Sequence, residues 1–253
     1  MTLDIYKSIA AVAILLTSLV AVIYPIRMRS YPDHHSWLER GDAFASGIFL
    51  GAALFHMLPD ALNLFSTLFP SSRFPLAESF CAGGFLFLLF LERLSGLCQG
   101  KNPTTRISLV LAIILIIHAL VEGAALGISD TVETTSILFL AIIAHKGSES
   151  FALAIILNRS NLVLPVIILI VGLFSCMTPL GIFGGALLTE SLQWRAGQIL
   201  TAGFNAFAAG TFLYMSTLHH INHHHDVNER ESFVEFWFLI FGLLIMAALA
   251  WWA

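Results

Sequence analysis

The chain has 253 residues, 58% of them hydrophobic and only 11% charged, with a mean hydropathy of +0.86; that balance excludes a water-soluble domain and predicts an integral membrane protein. The formal net charge of −4 is small and spread along the chain, and no Lys/Arg stripe of the kind that nucleic acid requires is present, so no nucleic-acid partner is expected. Cys81, Cys98 and Cys176 lie in or beside apolar stretches and suggest no disulfide framework.

Apolar stretches long enough to cross about 30 Å of hydrocarbon predict eight transmembrane helices, at residues 5–27, 42–67, 76–98, 106–129, 134–158, 162–188, 194–219 and 233–252. Polar or turn-forming breaks separate them and every connection is short, which predicts one transmembrane domain over residues 1–253. The first stretch, Ser8 to Ile26, is too long for a signal-peptide core and carries its strongest positive flank, Arg27 and Arg29, behind it. It is expected to be a retained helix.

The second helix, within FASGIFLGAALFHMLPDAL, holds His56 and Asp60 at an i, i+4 spacing, with Pro59 expected to bend it. The fourth holds His118 and Glu122 in LIIHALVEGAALG, and the fifth His145 and Glu149 in IIAHKGSESFAL, again four apart. That spacing puts both members of a pair on one helix face. His118 lies twelve residues after Arg106 and His145 twelve after Glu133, about 18 Å along each helix and near the bilayer midplane. A short loop joins these two helices, so they are expected to be antiparallel neighbours whose four side chains converge. Between helices 7 and 8, His219, His220, His223, His224 and His225 form the densest histidine cluster, a composition that binds transition metals loosely.

The loops after helices 1, 3, 5 and 7 and their flanks carry Arg27, Arg29, Arg40, Arg93, Lys101, Arg106, Arg159 and Arg230, against Lys7, Arg73 and Arg195 on the other side. This asymmetry places the odd-numbered loops and the histidine cluster in the cytosol, with both termini non-cytosolic. A plasma membrane or a bacterial inner membrane is the expected location.

Ionisable groups inside a bilayer are costly and mark ion or substrate paths. Two imidazoles and two carboxylates at matched depth suit a divalent first-row cation such as zinc, iron or manganese. The alternative for any single histidine is a hydrogen bond to a neighbouring helix, and Gly123, Gly127 and Gly147 would serve ordinary close packing as well as bending. Asp60 is expected to concentrate cations at the outer mouth and His56 to pass them on. Lys146, a cation beside a cation site, is expected to favour the charged forms of Glu122 or Glu149, to fill a second metal's place or to change protonation during transport; the alternative is a lysine stretching toward the headgroups.

At these residues the chain closely resembles the ZIP (Zrt/Irt-like) family of divalent-metal transporters, through FASGIFLGAALFHMLPDAL, HALVEGAALG, HKGSES, CMTPLGIFGGAL and AGTFLYMSTL in that order. The resemblance implies an all-α membrane fold of eight helices in a 3+2+3 arrangement, with helices 1–3 and 6–8 as inverted repeats. It also implies zinc as substrate rather than cofactor, movement into the cytosol and a homodimer. The family's metal residues carry over as His118, Glu122, His145 and Glu149. Ala119 and Lys146 stand where other members help to hold a second metal, a pattern that resembles the animal-type branch. The rival functions are an intramembrane zinc hydrolase, which would use the same ligands to activate water, and a proton-coupled carrier of an organic solute.

Overall fold

The computed structural model describes residues 3–29, 35–97, 103–187, 195–219 and 229–251. These form eight helices: α1 (Leu3–Met28), α2 (His35–Ala52, a π-turn at Ala53–Met57, then Leu58–Leu68), α3 (Leu76–Leu97), α4 (Pro103–Ile128), α5 (Val132–Arg159), α6 (Leu164–Leu187), α7 (Arg195–Tyr214, ending in a π-turn at Met215–His219) and α8 (Glu229–Ala250). No strand occurs among the described residues. Helices α2 and α8 begin several residues before their apolar runs. Within α2, Asp42 pairs with Arg159 at the end of α5 at 2.8 Å.

Seven of the eight helices contain a stretch long and apolar enough to cross a membrane. The eighth, α3, is 22 residues long but carries Glu78, Glu92 and Arg93 near its ends. The Glu92 carboxylate accepts a hydrogen bond from the Tyr214 hydroxyl of α7.

Cross-bonds fix which loops share an end of the bundle. At one end, Arg29 donates to the Leu162 carbonyl at 2.6 Å, Asn158 to the Pro25 carbonyl at 2.6 Å, and the Asn161 amide to Thr105 Oγ1 at 3.3 Å. At the other, Arg195 donates to the Leu68 carbonyl at 3.0 Å and Lys7 to the Gly127 carbonyl at 2.6 Å. The last turn of α1, the first turn of α4 and the α5/α6 turn therefore share one end, the basic one.

The helices sort into two packed groups, α1 with α4, α5 and α6, and α2 with α3, α7 and α8. The closest pairs are α4 on α6, α2 on α8, α3 on α7 and α1 on α5. Glycine permits the α4–α6 approach: a Cβ on Gly123 or Gly127 would fall on the carbonyl of Thr178 or Ile182, and one on Gly181 or Gly185 on that of Leu120 or Ala124. Two small-xxx-small stripes thus interlock backbone to backbone.

Pro59 acts differently from a simple bend. A proline ring collides with the carbonyl four residues back and donates nothing to it. Just ahead of it the ladder widens, the Leu58 amide bonding to the carbonyl of Ala53, five residues back, in the π-turn that contains His56. Such an insertion rotates a helix face, and π-turns recur at functional sites.

Candidate metal centre

Each pair of candidate ligands is held by its own helix, and the α4–α5 turn brings the pairs together. Thr131 caps α5, its hydroxyl accepting from the Thr134 amide at 3.1 Å. Ser129 bonds both the Leu126 carbonyl and Thr135 Oγ1 at 2.6 Å. With the turn so fixed, the i, i+4 pairs face one another. One ligand atom each from His118, Glu122, His145 and Glu149 can be chosen so that all lie within 4.8 Å of one another, and all four residues are buried.

Glu122 Oε1 is the point on which the histidines converge. It lies 2.7 Å from His145 Nε2, 3.0 Å from His118 Nε2 and 3.6 Å from His56 Nε2. Glu149 Oε1 is 3.5 Å from His118 Nε2 and 3.9 Å from His145 Nε2. Both ring nitrogens of His118, both carboxylate oxygens of Glu149, and Glu122 Oε2 are buried without a hydrogen bond. Burying so many polar atoms without a hydrogen bond is costly even with oppositely charged groups nearby. Two imidazoles and two carboxylates at these separations form a nitrogen/oxygen set that a four-coordinate divalent cation satisfies.

Lys146 is completely buried, so it does not stretch toward the headgroups. Its Nζ lies 3.5 Å from Glu149 Oε2, 3.9 Å from Glu122 Oε2 and 4.1 Å from the centre of the Phe174 ring on α6. Next to it, Ser150 donates to the Lys146 carbonyl at 2.7 Å, and Ser18 lies 2.8 Å from both Ser150 and Ser175, stitching α1, α5 and α6 behind the site.

The α2 pair sits beside this cluster but belongs to the other helix group. His56 Nδ1 is 3.1 Å from Asp60 Oδ2, and the side chains grade outward from the buried Glu122 through His56, 25% exposed, to Asp60, 50% exposed. The His56 and His145 rings are 4.9 Å apart, and a cleft over both is lined by Phe55, Ala141, Met246, Leu249 and Ala250. Toward the basic end the cluster is closed. The Phe212 ring lies 6.1 Å from His118 and 4.8 Å from Phe49, among the fully buried Leu115, Ala119, Ala152 and Leu153. His219 ends the α7 π-turn, while His220, His223, His224 and His225 lie outside the described residues.

The sequence matches the ZIP zinc transporter family over residues 4–108 and 101–250. The chain belongs to that family. Relatives match along most of its length: zinc transporter ZIP1 of Takifugu rubripes is 28% identical, with 96% of this chain and 97% of the relative aligned. Human zinc transporter ZIP1 is 30% identical over 83% of this chain and 79% of its own, and zinc transporter 11 of Arabidopsis thaliana 26% over 85% and 76%. Family membership and the buried cluster agree with the sequence-based expectation of a ZIP-type helical membrane protein.

Neither Phe174 nor Phe212 was singled out from the sequence, although both pack on the site. Among 21 phenylalanines nothing in the pattern marks these two. Lys7, expected only as a minority charge on the less basic side, instead satisfies the Gly127 carbonyl at the end of α4. A lysine eight residues or fewer from a helix start gives no sequence signal for so distant a partner.

Proposed function

We propose that this chain carries zinc across a membrane, with the ion bound as substrate by His118, Glu122, His145 and Glu149. The observation that carries this reading is the four-residue cluster within 4.8 Å, buried at the middle of two spans in a chain of the ZIP zinc transporter family. The way in runs past Asp60 and His56: the 3.6 Å step from His56 Nε2 to Glu122 Oε1 is short enough for one ion to exchange ligands without passing through bulk water. On the far side the Phe49–Phe212 contact and the aliphatic layer seal the path, so release requires the α4/α5 group to shift against α2 and α7. This is alternating access around a midplane site.

The pairing of helices supports a 3+2+3 inverted repeat. Exchanging α1 for α6, α2 for α7, α3 for α8 and α4 for α5 converts the α4–α6 contact into α5–α1 and the α2–α8 contact into α7–α3, and both members of each exchange occur. The domain is the whole chain, 1–253, acting as a homodimer in the lipid bilayer. Basic residues gathered at the end shared by the last turn of α1, the first turn of α4 and the α5/α6 turn orient that end to the cytosol. Both termini then lie outside the cytosol, and transport runs inward, across a plasma membrane or bacterial inner membrane. The cluster His219, His220, His223, His224 and His225 receives metal on the cytosolic side. Iron and manganese are secondary substrates of the same nitrogen/oxygen ligand set.

Family membership argues against the hydrolase and the organic-solute carrier. Zinc-65 uptake into proteoliposomes separates the three, comparing the parent with His118→Ala and Glu149→Ala. Saturable uptake lost in both variants is the expected result. Flux that survives both removes the ligand assignment, and hydrolytic activity without metal flux removes transport.

A further inference from the structure

The site's two carboxylates divide their oxygens between two partners. Oε1 of Glu122 and of Glu149 face the histidine Nε2 atoms at 2.7 to 3.9 Å. Oε2 of each faces the Lys146 ammonium, at 3.9 and 3.5 Å. The ammonium makes no hydrogen bond, and on another side it meets the flat face of Phe174, a fully buried ring 4.1 Å away. That ring comes from α6, so two helices hold the lysine in place.

We infer that Phe174 is a specificity-determining positioning residue: its ring keeps Lys146 against the Oε2 atoms, so that each glutamate offers the ion a single oxygen. The inference rests on the proposed ligand set. An ammonium over an aromatic face is attracted by the ring quadrupole, most strongly where water is excluded. The ring is also a wall against which the flexible lysine arm cannot retreat. With both Oε2 atoms engaged, the site presents two nitrogens and two oxygens, the four-coordinate set that zinc accepts. Manganese favours octahedral oxygen-rich sites, and carboxylates serve ions of higher coordination number by binding through both oxygens. Replacing the ring lets the ammonium leave the Oε2 atoms and opens a higher-coordinate site.

The test is competitive zinc and manganese uptake into proteoliposomes by the parent, Phe174→Met, Phe174→Leu, Phe174→Tyr, Lys146→Met and the Phe174→Met/Lys146→Met pair. The zinc-to-manganese ratio is expected to fall about fivefold in the two variants without a ring, and to stay within about twofold of the parent in Phe174→Tyr. In the Lys146→Met background, Phe174→Met should change the ratio no further, because its effect runs through the lysine. Cobalt(II) bound to purified protein gives a second readout: intense four-coordinate visible bands in the parent, and weaker bands of higher coordination in Phe174→Met. An unchanged ratio in both ring-less variants, or equal cobalt spectra, overturns the inference. So do additive effects of the two substitutions. Loss of flux in His118→Ala, run in the same assay, shows that the ligand set stands even where the role of Phe174 falls.

Discussion

His145 and Glu122 belong to different helices, yet at 2.7 Å they form the shortest nitrogen–oxygen pair in the site, closer than Glu122 to His118 one turn away on its own helix at 3.0 Å. The cross-helix contact, rather than either i, i+4 pair, ties α4 to α5 within the cluster. Glu122 Oε1 also faces His56, making it the vertex shared by both helix groups.

Glu122→Gln is therefore expected to be the most damaging single change among the four proposed ligands. It keeps the shape but removes the charge at the one oxygen that three histidines approach. Zinc affinity should fall by at least about a hundredfold, beyond what the loss of a supporting residue costs in metal sites. Equilibrium zinc binding to purified protein checks this, with Glu149→Gln as the milder comparison.

The α4–α6 seam predicts a folding defect rather than a transport defect. Gly123→Val or Gly181→Val would set a branched side chain onto opposing backbone that cannot yield. Overpacking of this kind costs about 1–3 kcal/mol, and more where the obstacle is backbone. Both variants should lower the thermal unfolding midpoint in detergent by several degrees. Gly83 and Gly184, whose Cβ positions meet nothing within 4 Å, should tolerate alanine with no such shift.

These glycines also show what the sequence could and could not disclose. Hydropathy located the helices because each span must satisfy its own backbone. The two His/Glu pairs stood out because charge is so scarce in apolar sequence. Gly123 and Gly127 were visible beside Glu122, but their partners Gly181 and Gly185 are meaningful only once α6 is known to lie on α4. The π-turn at Ala53–Met57 was foreshadowed by Pro59, though only as a bend. The Oε1/Oε2 division at Lys146 depends on rotamers, which no spacing encodes.

Lys7 offers a test on the first helix. Its ammonium donates to the Gly127 carbonyl at 2.6 Å, near the C-terminus of α4, where the last carbonyls lack helical partners and attract cations. Lys7→Met keeps the apolar arm and removes this charge-assisted bond, at a cost of about 1.5–3 kcal/mol. The expected result is a lower unfolding midpoint with faster hydrogen exchange confined to the end of α4 and the turn into α5. Uniform exchange along the chain would count against an anchoring role.

Asp42 on α2 and Arg159 on α5 pair at 2.8 Å across the seam between the two helix groups. On the same seam the Phe44 and Phe151 rings meet edge to face at 6.0 Å, and Gly41 faces Phe151 and Ile155. If release requires this seam to part, an ion pair across it favours the closed arrangement, and its coupling free energy sets how often the seam opens. Asp42→Asn should raise the reactivity of a cysteine placed at Ser46 toward a membrane-impermeant thiol reagent applied from the basic side. The same reagent applied at the Asp60 side should react no faster. Exchanging the charges, Asp42→Arg with Arg159→Asp, should bring reactivity back toward the parent, which loss of packing alone would not do. Equal labelling in parent and Asp42→Asn would mean that the pair holds helices together without gating the path.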